Sequence, residues 1–381
     1  MAYTQPAINY RTSYSASNIE LTGVQSVIIN RGRQRFQDNF VGSQCEIELI
    51  PATSYATPIA VGQWLDVRDT TGTTGAWFTG TITDVNRTYS MPYNSGTGYA
   101  PGDRIRITAT GSTGMLGVGN GVTISLGGSV TAAGAIAYCA SQNNMGYWIF
   151  GGTSYALTQG GTYSNYQTLD LINQWCRTGQ IFIDDFDSLF SSPAISILAG
   201  ATLGRSATFT DTGATGSTTY KFNHIEYQSS VQTAFTQVAV TPTGLATQTA
   251  QTGSAPYATL NYQTLNVSTA DAANLANYLL VTNNQATATP FVVGTDTSVQ
   301  SNCMKVTQVM NGDSTQSIPL GTIVTVTFRG VTVYAQVQGI QSFFYPDRAG
   351  FQLFLSPSLG QAFTLNSTSN GVLDTNRLGF P

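Results

Sequence analysis

The sequence predicts a mainly β protein with a few packed helices, built as two related β-barrel domains with intervening α+β segments. Three observations predict it. One β-module recurs, first over Cys45–Val85 and again over Cys303–Ile340. Only 9% of residues are charged while 41% are apolar, so the polar surface falls to Thr, Ser, Asn and Gln, which suit strands, turns and sheet edges. Alternating apolar residues imply about 40% strand and under about 15% helix, above the usual strand share.

The elements follow in order. A strand at 24–30, VQSVIIN, leads into the basic cluster Arg31, Arg33 and Arg35. In the first module a strand from Cys45 runs through a polar loop to Gly62, and Leu65 and Val67 then alternate. Phe78, Ile82 and Val85 follow a turn, and Ile105 and Ile107 close the copy after Pro101-Gly102. The second copy reads Cys303, Gly321, Val324 and Val326, then Val333, Val337 and Ile340, closed by Leu353 and Leu355 after Gly350. Residues 90–101 form a Gly/Pro/Ser loop that makes the first copy longer. Residues 111–134 are Gly-rich but keep a Val122-Ile124-Leu126 alternation, which predicts short strands.

Helices are expected at three places. One spans 132–143. A second is capped by Thr168 and runs to about Cys176, with Leu169, Ile172, Trp175 and Cys176 on one face and Gly179 at a left-handed stop. GQIFIDDFDSLFSS reads as a hairpin turning at Asp184–Asp187, and 219–242 as strands ending in the turn Pro242-Thr243-Gly244. The third helix, 269–281, has Ser268 and Asp271 as a capping box and Ala272, Leu275, Ala276 and Leu279 as its apolar stripe. The expected divisions are an arm at 1–20, a first barrel domain with a Gly-rich insertion at 21–165, a helix–hairpin domain at 166–245, a helix plus second barrel at 246–365, and a tail at 366–381.

The chemistry is sparse. A chain of 381 residues buries a core without a disulfide or metal staple. The net charge of -4 argues against a nucleic-acid reader, which needs clustered Lys and Arg. Cys45, Cys139, Cys176 and Cys303 lack metal spacing and read as buried small hydrophobes. The one histidine, His224, sits on a strand without a nucleophile elbow, so it reads as solvent-facing rather than catalytic. Asp184, Asp185 and Asp187 read as turn residues ahead of calcium ligands or a hydrolase pair. The glycine runs lack the Gly-Lys-Ser/Thr of a phosphate loop. No catalytic residue, cofactor or metal is expected, no apolar run reaches the ~20 residues of a membrane span, and the start does not read as a signal peptide.

Several segments then resemble the minor tail proteins of long-tailed siphophages, especially those of actinobacterial phages. They are Ile28-Ile29, Arg31-Gly32-Arg33, Asp38 with Phe40, and Gly42 leading into Ile47 and Leu49. WFTGTITDV, TLDLINQWCRTGQIFIDDFDSLF, ADAANLANYLL and GVLDTNRLGF at 371–380 follow in the family's order. The chain is poorer in Asp and Arg than that family, and Thr110-Gly111-Ser112 replaces its Asp-Ala-Leu segment. The resemblance implies a tail-tip or baseplate hub, a virion protein assembled in the host bacterial cytoplasm. Its expected partners are two further copies in a pseudo-six-fold trimer, the distal tail protein or tail tube, the tape-measure protein, and tip-fibre or receptor-binding proteins, with DNA passing unbound. Arg31, Arg33 and Arg35, with Asp374 and Arg377 in the C-terminal segment, are the expected subunit-interface residues, since Arg pairs bidentately with carboxylates; a solvated strand end is an equal reading of the three arginines. The competing readings are a receptor- or carbohydrate-binding tail protein and a β-rich glycan hydrolase using Asp184 or Asp187.

Overall fold

The strand Val24–Gly32 buries Val27 and Ile29 on one face, the period of two that a half-buried strand requires. Outward from it lie Gln44–Leu49, Arg104–Gly111, Ala76–Thr88 and Trp64–Arg68, every neighbour antiparallel. Ala7–Arg11 and Ile19–Glu20, in the segment expected as an arm, add two more strands at that edge. This first half is matched strand for strand by a second. There His224–Gln228, Thr289–Asp296, Ala349–Pro357, Val331–Phe344 and Ile323–Phe328 are antiparallel neighbours. Thr208–Thr210 and Thr219–Lys221 extend it in parallel.

The halves do not stand apart. Gly339–Phe344 pairs antiparallel with Val27–Gly32, so one curled, half-barrel sheet of fourteen strands runs through both. Strands take 50% and helices 17% of the described residues, which keeps the protein in the mainly β class. The computed structural model describes residues 6–358 apart from 14, 52–57, 70–75, 91–101, 118–122, 129, 151–156, 165, 186–193, 199–206, 214–217, 229–234, 284–288, 297–302, 305, 307–308 and 310–317.

The duplication extends to individual hydrogen bonds. Gly62, at φ +87, donates its N–H to the Ile82 carbonyl at 2.9 Å, and the Ile82 N–H returns to Gln63 O at 2.8 Å. Gly321, at φ +82, donates to Val337 O at 2.8 Å, and the Val337 N–H returns to Thr322 O at 2.9 Å. One residue later each long strand breaks register, at Thr83 in one copy and Gln338 in the other. A left-handed glycine followed by a bulge bends the strand and raises its twist, so it leaves its hairpin partner at the same point in both copies.

Two expectations need correction. Ile107 pairs with Val85 and Leu353 with Ile340, so the closing strands align Ile105 and Ile107 with Phe351 and Leu353, two residues from the expected match to Leu353 and Leu355. The counterpart of the Cys45 strand is Thr289–Asp296, since Ile47 and Val293 hold the same place against Ile107 and Leu353. Cys303 belongs to no named strand, and its backbone forms an isolated bridge with Lys221. Alternation repeats every two residues, so it fixes the face of a strand but leaves its register open.

Between the modules, Gly146–Phe150 and Phe182–Asp184 flank Ala194–Leu198, under the helix Ala132–Gln142, against which Thr168–Gly179 packs. Of the hairpin expected within 179–192, the return strand lies outside the described residues; Phe182–Asp184 pairs antiparallel with Ala194–Leu198, beyond the expected segment. Thr131 caps the first helix by accepting from the Gly134 N–H at 3.1 Å. Thr168 caps nothing: it is buried as the first helical residue after Gln167. The left-handed stop is Gln180, φ +51, one position beyond Gly179, with the Ile181 N–H reaching Cys176 O. A separate apolar cluster forms where Thr269–Asn283 covers the sheet of Gln237–Pro242, Gln248–Gln251 and Thr259–Thr264. Here Ser268 Oγ accepts from the Asp271 N–H at 3.1 Å, and the stripe Ala272, Leu275, Ala276 and Leu279 is buried as expected.

Candidate functional site

The two modules and the α/β segment meet around Val24–Gly32. Arg31 leaves this strand toward Asp184, its Nε 3.1 Å from Oδ1 and its Nη2 2.5 Å from Oδ2. Both side chains are buried, so the pair pins the α/β segment to the seam between the modules. Arg33 turns to the second module. Its Nε donates to Gln338 Oε1 at 2.9 Å, and its guanidinium lies 4.4 Å from the Phe40 ring centre and 5.2 Å from that of Phe182. Burial lowers the pKa of this guanidinium. The bulge residue Gln338 is fully buried, and Trp77 stacks on Phe344 across the seam with ring centres 5.1 Å apart.

Asp185 closes the junction. Its carboxylate accepts from the Ser43 N–H at 2.6 Å, the Thr113 N–H at 2.5 Å and the Thr113 hydroxyl. These bonds hold the corner where Gly42 and Gly114 touch; a Cβ on Gly42 would lie 2.2 Å from the Gly114 nitrogen. Asp184 and Asp185 are therefore buried anchors rather than the turn residues expected, while Asp187 lies outside the described residues.

Burial pushes the Asp185 carboxyl above its ordinary range and the Asp184 charge adds to this, against the hydrogen bonds from Thr113 and Ser43. The folded chain thus holds this proton to higher pH than the unfolded chain. Its contribution to stability is full below the unfolded carboxylate value and is lost as pH rises through the folded one. Urea unfolding of wild type and Asp185→Asn from about pH 4 to pH 7 checks this. The expected result is that wild type loses stability relative to the variant as pH rises; pH profiles of the same shape contradict it.

No group of three metal-ligating side chains occurs among the described residues. His224 Nε2 lies 3.0 Å from Glu226 Oε1, with both side chains well exposed, so the histidine faces solvent as expected. Cys45, Cys139 and Cys176 are buried, and burial pushes the Cys139 and Cys176 thiols up to about 12. Cys303 departs from that pattern and is half-buried. No helix among the described residues is long and apolar enough to cross a membrane.

No family model matches the chain, and no curated protein matches it in sequence. Solved structures do match it. The 43 kDa tail protein of prophage MuSo2 from Shewanella oneidensis aligns with a TM-score of 0.58 at 11% identity, over 92% of this chain and 98% of that one. A tail protein from Neisseria meningitidis MC58 gives 0.59 at 11% identity, over 93% and 97%. It is the fold of phage tail proteins. Prophage tail protein gp18 from Listeria monocytogenes EGD-e also shares it, with a TM-score of 0.53 at 11% identity over 91% and 94%.

Within this tail-protein fold, Arg31 and Arg33 make their contacts inside the chain, and both are buried. Arg35 is half-buried, and its N–H donates to Asp38 Oδ2 at 2.9 Å. Asp374 and Arg377 lie outside the described residues. Sequence reasoning missed Gln338, Trp77 and Phe344 as seam residues. Gln338 had a signal: it is the one polar side chain between Val337 and Ile340, where the alternation slips.

Proposed function

We propose that this protein is a structural, non-catalytic hub at the tail tip of a long-tailed bacteriophage. Three copies form a six-lobed ring that joins the tail tube or distal tail ring to host-recognition components, and DNA passes through its lumen. The observation that carries this reading is the duplicated module, alike down to its left-handed glycine and bulge, in a chain with the fold of prophage tail proteins. Two equivalent modules per chain let a three-fold assembly present six similar edges to a six-fold tube. A chain with only 9% charged residues suits a channel in which DNA slides without being held by Lys and Arg.

Sedimentation of the full chain over rising concentration tests this reading. A three-copy species is expected. A strict monomer at high concentration, together with absence of the protein from purified tail tips, overturns it. A receptor- or glycan-binding role draws support from one feature, the strand Gly146–Phe150, where Tyr147, Trp148 and Ile149 are each more than 40% exposed.

A further inference from the structure

The seam that joins the two modules within one chain has an unused counterpart. In the seam, the strand Val24–Gly32 of the first module fills the edge left free beyond the Gln338 bulge of the second. By the correspondence of the two copies, the equivalent edge of the first module begins beyond the Thr83 bulge, at Asp84–Thr88. The equivalent of Val24–Gly32 is His224–Gln228. Among the described residues, Asp84–Thr88 pairs only with Arg104–Gly111 and its neighbours toward Ile107, and His224–Gln228 only with Thr289–Asp296. Among the described residues, each therefore has one edge without a strand partner, a ready template for another strand.

Burial at matched positions shows what is missing. Phe344 is 2% exposed in the seam, opposite Val27 at 1%. The residue in the place of Phe344 is Tyr89, which is 71% exposed, and the residue in the place of Val27 is Ile225, only half-buried. The bulge residue repeats the contrast, with Gln338 fully buried and Thr83 exposed.

We infer that these two edges mate between copies: His224–Gln228 of one chain adds antiparallel to the first module of the next, repeating the internal seam head to tail. The seam's register carries over as Tyr89 opposite Ile225, Thr88 opposite Glu226, Arg87 opposite Tyr227 and Asn86 opposite Gln228. Asp84 stands where the seam has Gly339, on which a Cβ would lie 2.4 Å from Arg33 O, so the repeated pairing covers Asn86–Tyr89 rather than the seam's full length. Such a contact is heterologous and closes only as a ring, in which every copy gives one edge and receives one. This pairing rests on the ring-forming reading above.

Engineered disulfides test it. In a Cys303→Ser background, Thr88→Cys and Glu226→Cys are placed in separate full-length chains, both at exposed positions. Paired antiparallel residues have Cα atoms about 4.5–5.5 Å apart, within disulfide range. Oxidation of the mixed chains is expected to give a covalent two-chain species absent from either variant alone, and the double variant a covalent three-chain ring. Thr83→Cys mixed with Glu226→Cys should give none. If the wild type sediments as a trimer but the Thr88–Glu226 link does not form, the pairing is wrong while the ring reading stands. If the chain stays monomeric and unlinked, both fall.

Discussion

Asp184→Ala is expected to lower the free energy of unfolding by about 3–5 kcal/mol, because it leaves the Arg31 guanidinium buried without its carboxylate. Both partners sit in the wall shared by the two modules and the α/β segment, with side chains 5% and 2% exposed, so water cannot replace the lost oxygens. Urea unfolding of the full chain reads the loss directly. The double variant Arg31→Met/Asp184→Leu separates a missing partner from a missing ion pair: it should recover most of the stability, since an apolar pair of similar volume avoids desolvating two charges. A double variant as unstable as Asp184→Ala alone would mean that the site needs the ion pair itself. Little or no loss in Asp184→Ala would mean that Arg31 finds solvent there.

Phe344→Ala should cost about 3–5 kcal/mol, the range for removing a buried aromatic side chain. Phe344 lies against Trp77 with the ring planes 13° apart and faces Val27, so its loss opens a cavity between the modules. Its counterpart Tyr89 provides an internal control, because Tyr89→Ala at a 71% exposed position should change chain stability by less than about 0.5 kcal/mol. Unfolding midpoints of both variants at low protein concentration check the contrast; similar losses at the two positions would contradict the account of the seam.

The parts of the fold written in local pattern were legible from the sequence. The module repeat rested on Gly62 and Gly321 with alternation on either side, and both glycines occupy the same left-handed turn. The helix over Thr269–Asn283 rested on Ser268, Asp271 and a 3.6-residue stripe, all local signals. What failed depended on register or distance. A period-two pattern does not tell Leu353 from Leu355 as the partner of a given position, and pairing alone showed the shift. The Cys303 segment stands at the right spacing before Gly321 to be the module's first strand, whereas the strand used lies earlier, at Thr289–Asp296.

The junction was half legible. The arginine cluster implies pairing with carboxylates, and Arg31 does pair with one, 153 positions away in its own chain. Asp184 and Asp185 carry the composition of a turn, and only the tertiary fold shows them buried, one on a guanidinium and the other on two backbone N–H groups and a hydroxyl. Composition records which groups are available, while burial decides which of them must be satisfied.

The measurement that bears most directly on the central proposal is a cryo-EM map of tail tips containing this protein. Three copies are expected in a six-lobed ring, each lobe one module, with His224–Gln228 of every copy continuing the sheet of its neighbour beside Asn86–Tyr89. A tip in which the protein stands as isolated monomers, or lies outside the ring altogether, would contradict it.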